Sequence, residues 1–210
     1  MMVFHDIPQN SDEWFALRLG KATASKFGTF MANDGKAFGD PAKDYALQLA
    51  LERATGQKAD SGYTSPDMER GQALEPVARQ LYEEANFCDV LNGGFFCWGE
   101  FGDSPDGLIG LDGALEIKCV QPKAHFATLR RKAPDPAYRW QLVGHLDCTG
   151  REWVDFVSYC PEFPEETRLL VHRVTASEVA EDIERLRARR ADFLALVRET
   201  LQFIDTEKAA

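Results

Sequence analysis

The chain has 210 residues, 44% of them hydrophobic and 11% aromatic, which excludes a disordered chain and provides for one good core but hardly for two. Its formal net charge of -10, from 24 basic and 34 acidic residues, excludes a generally basic, DNA-coating protein. A local basic groove is still compatible with this charge, because the segment 121–139 carries five basic residues and one acidic residue.

Helices are predicted for most of the first 90 residues. Ser11 is a typical N-cap before two acidic residues, and Gly20 ends the short helix that follows. The other helix and turn signals predict a second helix start at 23–25, a flexible loop over 31–40, and helices over 40–56 and from 65 onward. Pro76 lies inside the apolar stripe of the last of these, so either that helix is kinked or a new helix begins near Glu75.

From Gly93 onward, short runs of aromatic and β-branched residues predict a sheet. The predicted strands lie at 95–98, 107–111, 114–120, 153–159 and 167–174, with helices at 122–131 and 138–149 between them. Thr175 and Glu178 form a capping-box pattern at the start of a long amphipathic helix over 175–204. This order predicts an α/β fold, a mixed β-sheet flanked by helices with a long C-terminal helix.

We interpret the chain as one domain over 1–210, with a helical N-terminal part (1–90), a sheet-bearing catalytic core (91–174) and the C-terminal helix (175–204). No segment approaches the roughly 18 apolar residues of a membrane span, and the first residues do not form a secretion signal. The five cysteines are isolated, without a CxxC pair, which indicates neither a disulfide framework nor a zinc site. We therefore expect a reducing cytoplasm and no membrane partner.

Two short segments carry the candidate chemistry, Ser104-Pro105-Asp106-Gly107-Leu108 and Leu115-Glu116-Ile117-Lys118-Cys119. Side chains alternate along a strand, so Glu116 and Lys118 share one face. A hairpin turn at Asp112-Gly113 would bring the Asp106 carboxylate near that of Glu116. Taken alone, these segments are also compatible with a common turn and an ordinary exposed strand.

Two carboxylates beside a lysine are suited to metal-assisted hydrolysis of a phosphodiester. Hard oxygen ligands bind Mg²⁺, which stabilises charge on the phosphate and lowers the pKa of a bound water. The Lys118 ammonium could orient that water or neutralise developing charge. The backbone carbonyl of Ile117, between the two side chains, is a further candidate ligand.

Together with other segments, these motifs resemble the lambda-type phage exonucleases, the YqaJ-like recombinase nucleases of the PD-(D/E)xK superfamily. The further matching segments are Trp14 with Leu17-Arg18-Leu19-Gly20, Thr23-Ala24-Ser25, residues 71–75 with Ala78, and Tyr138 with Gln141. They occur in the family's order over residues 14 to about 146. The resemblance implies a restriction-endonuclease-like core.

The resemblance also implies roles for individual residues at the reaction centre. Asp106, Glu116 and the Ile117 carbonyl would bind Mg²⁺, for which Mn²⁺ could substitute, and Lys118 would be the catalytic lysine. Glu75 resembles the family's additional acidic residue, although an ion pair with Arg79 at i, i+4 would equally explain it. The family's active-site glutamine and its neighbour correspond to Gln141 and Tyr138; helix packing is the alternative for Tyr138.

A second group resembles the residues that bind a 5′-terminal phosphate, namely Arg18, Ser25 and Ser104. An arginine fork with hydroxyls makes a good anion pocket, and the alternative for Ser25 is a simple helix N-cap. Family members have proline directly after the lysine-cysteine pair, whereas Val120 and Gln121 precede Pro122 in this chain. The basic residue expected soon afterwards could therefore be Lys123, Arg130 or Arg131.

The implied activity is 5′→3′ exonuclease action on one strand of linear duplex DNA, which releases mononucleotides and leaves a 3′ single-stranded tail for recombination. The implied assembly is a homotrimeric ring that encloses DNA and works beside a single-strand annealing protein, in a bacterial host or a phage-infected cell. Two alternatives are an endonuclease of the same superfamily and a non-catalytic DNA-binding protein. An end-phosphate pocket argues against the first, and the complete set of Asp106, Glu116 and Lys118 argues against the second.

Overall fold

A computed structural model describes residues 1–33, 35–59 and 65–208. Within these residues there are seven α-helices: α1 Asp12–Arg18, α2 Phe27–Met31, α3 Asp40–Thr55, α4 Pro66–Asn86, α5 Pro122–Arg131, α6 Arg139–Thr149 and α7 Ala180–Lys208. Short 3-10 turns at Ala24–Lys26 and Pro136–Tyr138 precede α2 and α6. Every helix predicted from the sequence is present. Of the loop predicted over 31–40, position 34 lies outside the described residues.

The strands of the described chain form two sheets. In order they are β1 Val3–His5, β2 Ala22–Thr23, β3 Val90–Asn92, β4 Phe95–Cys97, β5 Phe101–Asp103, β6 Gly107–Ile109, β7 Gly113–Cys119, β8 Trp153–Tyr159 and β9 Leu169–Thr175. The first sheet has the order β1-β4-β5-β2, and the second has the order β3-β6-β7-β8-β9. The predicted α/β class with helices around mixed sheets is confirmed, but the sequence did not predict a second sheet.

The second sheet carries the centre of the protein. Its long strands β7 and β8 are parallel, and β6 and β7 form an antiparallel hairpin. One face of β7 contributes Leu115 and Ile117 to a core with Tyr82 of α4. The other face packs through Ala114 on a larger core built from α2, α3, α6 and α7, in which Phe193 of α7 is fully buried. Helices therefore cover both faces of β7.

The smaller first sheet links the chain's start to its centre. Strand β5 pairs with β4 on one side and, in parallel, with the two-residue strand β2 on the other. It ends at Asp103, so the following residues Ser104 to Asp106 connect the first sheet directly to β6 of the second. The candidate site is built on this connection.

The helices α4 and α7 differ in detail from their predictions. Helix α4 runs unbroken through Pro76, so the prediction of a new helix near Glu75 is wrong. The capping box forms, since the backbone N–H of Thr175 donates to Glu178 and the N–H of Glu178 donates back to the Thr175 hydroxyl, although regular α7 begins only at Ala180. Among the described helices, none is long and apolar enough to cross a membrane.

Gly93 allows the first sheet's connection to pass close to the loop before β6. A Cβ atom at Gly93 would lie 1.7 Å from the backbone oxygen of Pro105, which also accepts a hydrogen bond from Gln9. We expect Gly93→Ala to lower the free energy of unfolding by about 1–3 kcal/mol, because overpacking against backbone must be relieved by movement. Gly28→Ala is the matched control, since a Cβ there meets nothing within 4 Å. Urea denaturation would give the unfolding midpoint of each variant. A Gly93→Ala midpoint equal to that of Gly28→Ala would refute the close approach.

Candidate active site

The hairpin of β6 and β7 brings the predicted carboxylates together. Asp106 stands immediately before β6, and its Oδ2 accepts a hydrogen bond from the backbone N–H of Ile117 at 2.6 Å. Glu116 and Lys118, on either side of Ile117, point to the same face of β7, where the Lys118 ammonium pairs with Glu116 Oε1. The predicted alternation along the strand is thus present. The predicted hairpin also forms, but its turn is shifted: it spans Gly110 to Asp112, and Gly113 is already the first residue of β7, paired with Ile109.

Asp106 and Lys118 border a cavity of about 450 Å³ between the sheet and the first turns of α4 and α5, whereas Glu116 is buried behind its lining. Its lining includes Glu75, Asp106, Ile117, Lys118 and Tyr138. The Glu75–Arg79 ion pair offered as an alternative is absent from the described residues, because the Arg79 guanidinium donates instead to the backbone oxygen of Asp106. The packing alternative for Tyr138 is present, since its ring lies 5.4 Å from that of Phe156, and the same ring faces the Lys118 ammonium at the cavity.

The Glu116 carboxylate is buried and held by three donors. Gln141 of α6 donates to Oε1 at 2.6 Å, and Lys118 pairs with the same oxygen. Oε2 lies 2.8 Å from Nε2 of His145, one helical turn after Gln141. The other ring nitrogen of His145 lies 2.8 Å from Asp103 at the end of β5. Since each nitrogen faces a carboxylate oxygen, both must donate.

Burial and neighbouring charges shift the pKa values of the two candidate metal ligands, Asp106 and Glu116, in opposite directions. Burial, together with the charge of Glu116, raises the pKa of Asp106 well above its usual range, and Lys118 offsets only part of this. Burial also opposes ionisation of Glu116, but Lys118 and His145 outweigh it and lower the pKa of Glu116 to about 2. Burial lowers the pKa of His145, yet Asp103 and Glu116 raise it to about 10. The centre therefore contains an ionised Glu116 between two cations.

Arg18, at the end of α1, lies in a second polar cluster beside the first. Its guanidinium lies over the Trp14 ring at 3.9 Å, and among the described residues no acceptor forms a hydrogen bond with it. The Trp14 indole N–H donates to Ser104 Oγ at 2.7 Å, which in turn donates to the Gly94 oxygen. Burial lowers the pKa of Arg18 to about 10, although Tyr45 and Asp103 act in the opposite direction.

The other residues predicted to bind the phosphate lie at different distances from the cavity. Ser25 lies within the 3-10 turn 3.4 Å from the Thr23 hydroxyl, and Thr23 is the N-cap residue, so the N-cap alternative for Ser25 is wrong. Lys123 lies in the first turn of α5, next to Ala124, which lines the cavity. Arg130 and Arg131 lie roughly 10 Å further along the helix axis, at 1.5 Å per residue. Arg131 is 3.7 Å from Asp135.

Sequence reasoning missed His145 and Asp103. The signal available for His145 was its position four residues after Gln141, which places both side chains on one face of a helix. Asp103 had only its position directly before Ser104. Neither residue belongs to the motifs that suggested the site.

The donors at the cavity suit a hard divalent cation such as Mg²⁺. The described residues contain no group of three His, Cys, Asp or Glu side chains already spaced to hold an ion. Nevertheless, burial and the charge of Glu116 raise the pKa of both Asp106 and Glu75, while Arg79 partly offsets this for Glu75. A cation between these carboxylates would relieve their repulsion, and all of them offer the oxygen ligands that Mg²⁺ prefers.

The fold and this site together define a nuclease of the restriction-endonuclease-like class. A model of the family described as "YqaJ-like viral recombinase domain" matches residues 13–152, and the chain belongs to this family. No curated protein matches the chain.

Solved structures agree with this assignment. The alkaline exonuclease LHK-Exo from Laribacter hongkongensis is 31% identical, with a TM-score of 0.82 and coverage of 95% of this chain and 98% of that one. The structure of LHK-Exo in complex with dAMP is 33% identical in sequence, with a TM-score of 0.83, and again covers 95% of this chain and 98% of that one. A phage-related exonuclease from Haemophilus somnus 129PT is 15% identical with a TM-score of 0.69, and the match covers 89% of this chain and 96% of that one. At this identity the likeness supports the fold alone.

Proposed function

We propose that this protein is a Mg²⁺-dependent 5′→3′ exonuclease that degrades one strand of linear duplex DNA to mononucleotides and leaves a 3′ single-stranded tail for recombination by strand annealing. The observation that carries the proposal is the cavity where Asp106 and Lys118 lie together with Glu75. Trp14 and Ser104 connect the chain segment of Asp106 to an Arg18 guanidinium that has no hydrogen-bond acceptor among the described residues. The likeness to an alkaline exonuclease over nearly the whole chain supports it.

In this proposal Asp106, Glu116, Glu75 and the Ile117 carbonyl hold the metal. When bound, Mg²⁺ would neutralise charge on the scissile phosphate and supply an activated water. The hydrogen bond from the Ile117 N–H holds the Asp106 carboxylate against the strand. Gln141 fixes Glu116 from the helix side, and Lys118 carries the positive charge that would face the reacting phosphate.

The second part of the proposal is an anchor for the 5′-terminal phosphate. Arg18, stacked on Trp14, can offer its N–H donors to an anion, and Ser104 is held in place by the Trp14 indole. Ser104 and Asp106 are two residues apart, so their Cα atoms lie within about 7 Å. An end phosphate at Ser104 would therefore place the first phosphodiester bonds near the metal. Among the three basic candidates, Lys123 is favoured because it lies nearest the cavity.

Linear duplexes with 5′-phosphate or 5′-hydroxyl ends, incubated with Mg²⁺ or EDTA, test the proposal. We expect Mg²⁺-dependent release of mononucleotides, faster from the phosphorylated end, and no cutting of a closed circular duplex. Cutting of the circle would instead identify an endonuclease. Binding of DNA without hydrolysis in Mg²⁺ or Mn²⁺ would identify a non-catalytic DNA-binding protein.

Arg18→Gln is expected to reduce the preference for phosphorylated ends by about 10- to 100-fold, because a charged hydrogen bond contributes roughly 1.5–3 kcal/mol. The rate on 5′-hydroxyl ends should change little. Lys43→Gln removes the same charge from an exposed position on α3 and serves as the control. Rates on the two ends, compared for each variant, measure the effect. An unchanged preference in Arg18→Gln would remove Arg18 from the anchor.

We also propose a homotrimer that encloses DNA and works beside a single-strand annealing protein. This part rests on the family resemblance and on the net charge of -10, since an enclosing ring needs no strongly basic exterior to stay on DNA. Mass measurement in solution, with and without duplex DNA, tests it. A strict monomer under both conditions would exclude enclosure.

A further inference from the structure

His145 connects the two sheets of the protein through one imidazole ring. The residue is fully buried on α6, with one nitrogen 2.8 Å from Asp103 of the first sheet and the other 2.8 Å from Glu116 of the second. Asp103 and Glu116 are themselves only 2% and 1% exposed. Three polar groups at this depth would each be costly without these partners.

The two oxygens of Glu116 have different surroundings. Oε1 accepts from both Gln141 and Lys118, whereas within the described chain the side-chain donor to Oε2 is His145 alone. Loss of the imidazole would leave Oε2 and the Asp103 carboxylate buried without their donor. The orientation of the Glu116 carboxylate, and not merely its presence, therefore depends on His145.

Asp103 in turn holds the imidazole from the opposite side. It ends β5 directly before Ser104, in the connection that also carries Asp106. A metal ligand that is fixed by an imidazole, which is itself fixed by a carboxylate, is the arrangement by which outer groups orient inner ligands at metal sites.

We infer that His145 is a positioning residue, which Asp103 holds and which fixes the Glu116 carboxylate in the orientation that a bound divalent metal requires. This inference rests on the proposed function, because it takes Glu116 to be a metal ligand. It assigns a role to two residues outside the motifs that define the site.

Mn²⁺ binding to the metal-free protein without DNA, measured by calorimetry or by the electron paramagnetic resonance of free Mn²⁺, tests the inference apart from activity. We expect His145→Gln, which keeps one donor, to bind Mn²⁺ roughly 10-fold more weakly than the wild-type protein, and His145→Ala to approach 100-fold. Asp103→Asn is expected to weaken binding less than His145→Gln, since an amide oxygen can still accept from the ring.

His125→Gln is the matched control. His125 is also fully buried, and its ring nitrogens lie 2.8 Å from Ser158 Oγ and 2.8 Å from the Thr167 oxygen, without a carboxylate partner. Melting in EDTA verifies that each variant is folded, and His145→Gln with Asp103→Asn carry the test if His145→Ala does not fold.

The outcomes separate the inference from the function on which it rests. Wild-type affinity in His145→Gln, or equal weakening in His125→Gln, would overturn the positioning role while leaving the nuclease proposal intact. A wild-type protein that binds no Mn²⁺ and hydrolyses no DNA would overturn the proposed function, and the inference with it.

Discussion

Asp106→Asn is expected to lower the rate of DNA hydrolysis by roughly a thousandfold, because it removes a carboxylate that we propose binds the metal, and a bound metal would stabilise the transition state by several kcal/mol. The protein should stay folded. The amide oxygen that this substitution introduces can still accept from the Ile117 N–H, and burial already disfavours the charged form of Asp106, whose pKa is raised. Initial rates on a 5′-phosphorylated linear duplex in Mg²⁺ measure the loss.

Asp112→Asn is the control for that substitution. Asp112 lies in the exposed hairpin turn of the same β6–β7 unit, away from the cavity lining, so the rate should be unchanged. Melting temperatures in EDTA verify that both variants are folded. An Asp106→Asn enzyme within tenfold of the wild-type rate would exclude Asp106 as an essential ligand.

Lys118→Met is expected to lower the same rate by about a hundred- to a thousandfold, the range found when one charge-stabilising donor is removed from an active site. Its second effect should be on stability, since buried Glu116 loses the cation paired with Oε1. Lys118→Arg restores the charge but not the compact ammonium, so it should recover stability more than rate.

Rates and urea midpoints of both Lys118 variants distinguish these two effects. A Lys118→Met protein that is destabilised but hydrolyses DNA at the wild-type rate would restrict Lys118 to a structural ion pair. A rate loss that Lys118→Arg fully reverses would show that charge alone is required.

The local part of the site could be predicted from the sequence because its signals are local. Asp106 and Glu116 are ten positions apart, and a two-strand hairpin with alternating side chains is enough to bring them together. The pairing of β1 with β4 joins residues about 90 positions apart through strands of three residues, too short for an alternating pattern to be recognised. The second sheet was missed for this reason.

The partners of Arg79 and His145 could not be predicted, because they depend on contacts between elements that are distant in the sequence. The i, i+4 spacing made a Glu75–Arg79 ion pair plausible, yet tertiary packing gave Arg79 a backbone acceptor instead. His145 and Asp103 are 42 positions apart, and no spacing rule connects a helix residue to the end of a strand in another sheet. Ordinary residue types can acquire such roles only through the assembled fold.

The stacking of Arg18 on Trp14 has a practical consequence. The emission of an indole depends on charges near its ring, and this ring lies 3.9 Å from the guanidinium proposed to hold the end phosphate. Occupation of that pocket by a phosphate would thus alter the intrinsic fluorescence of Trp14. In a variant that retains tryptophan only at position 14, the arrival and departure of a DNA end could be followed in real time without an attached dye.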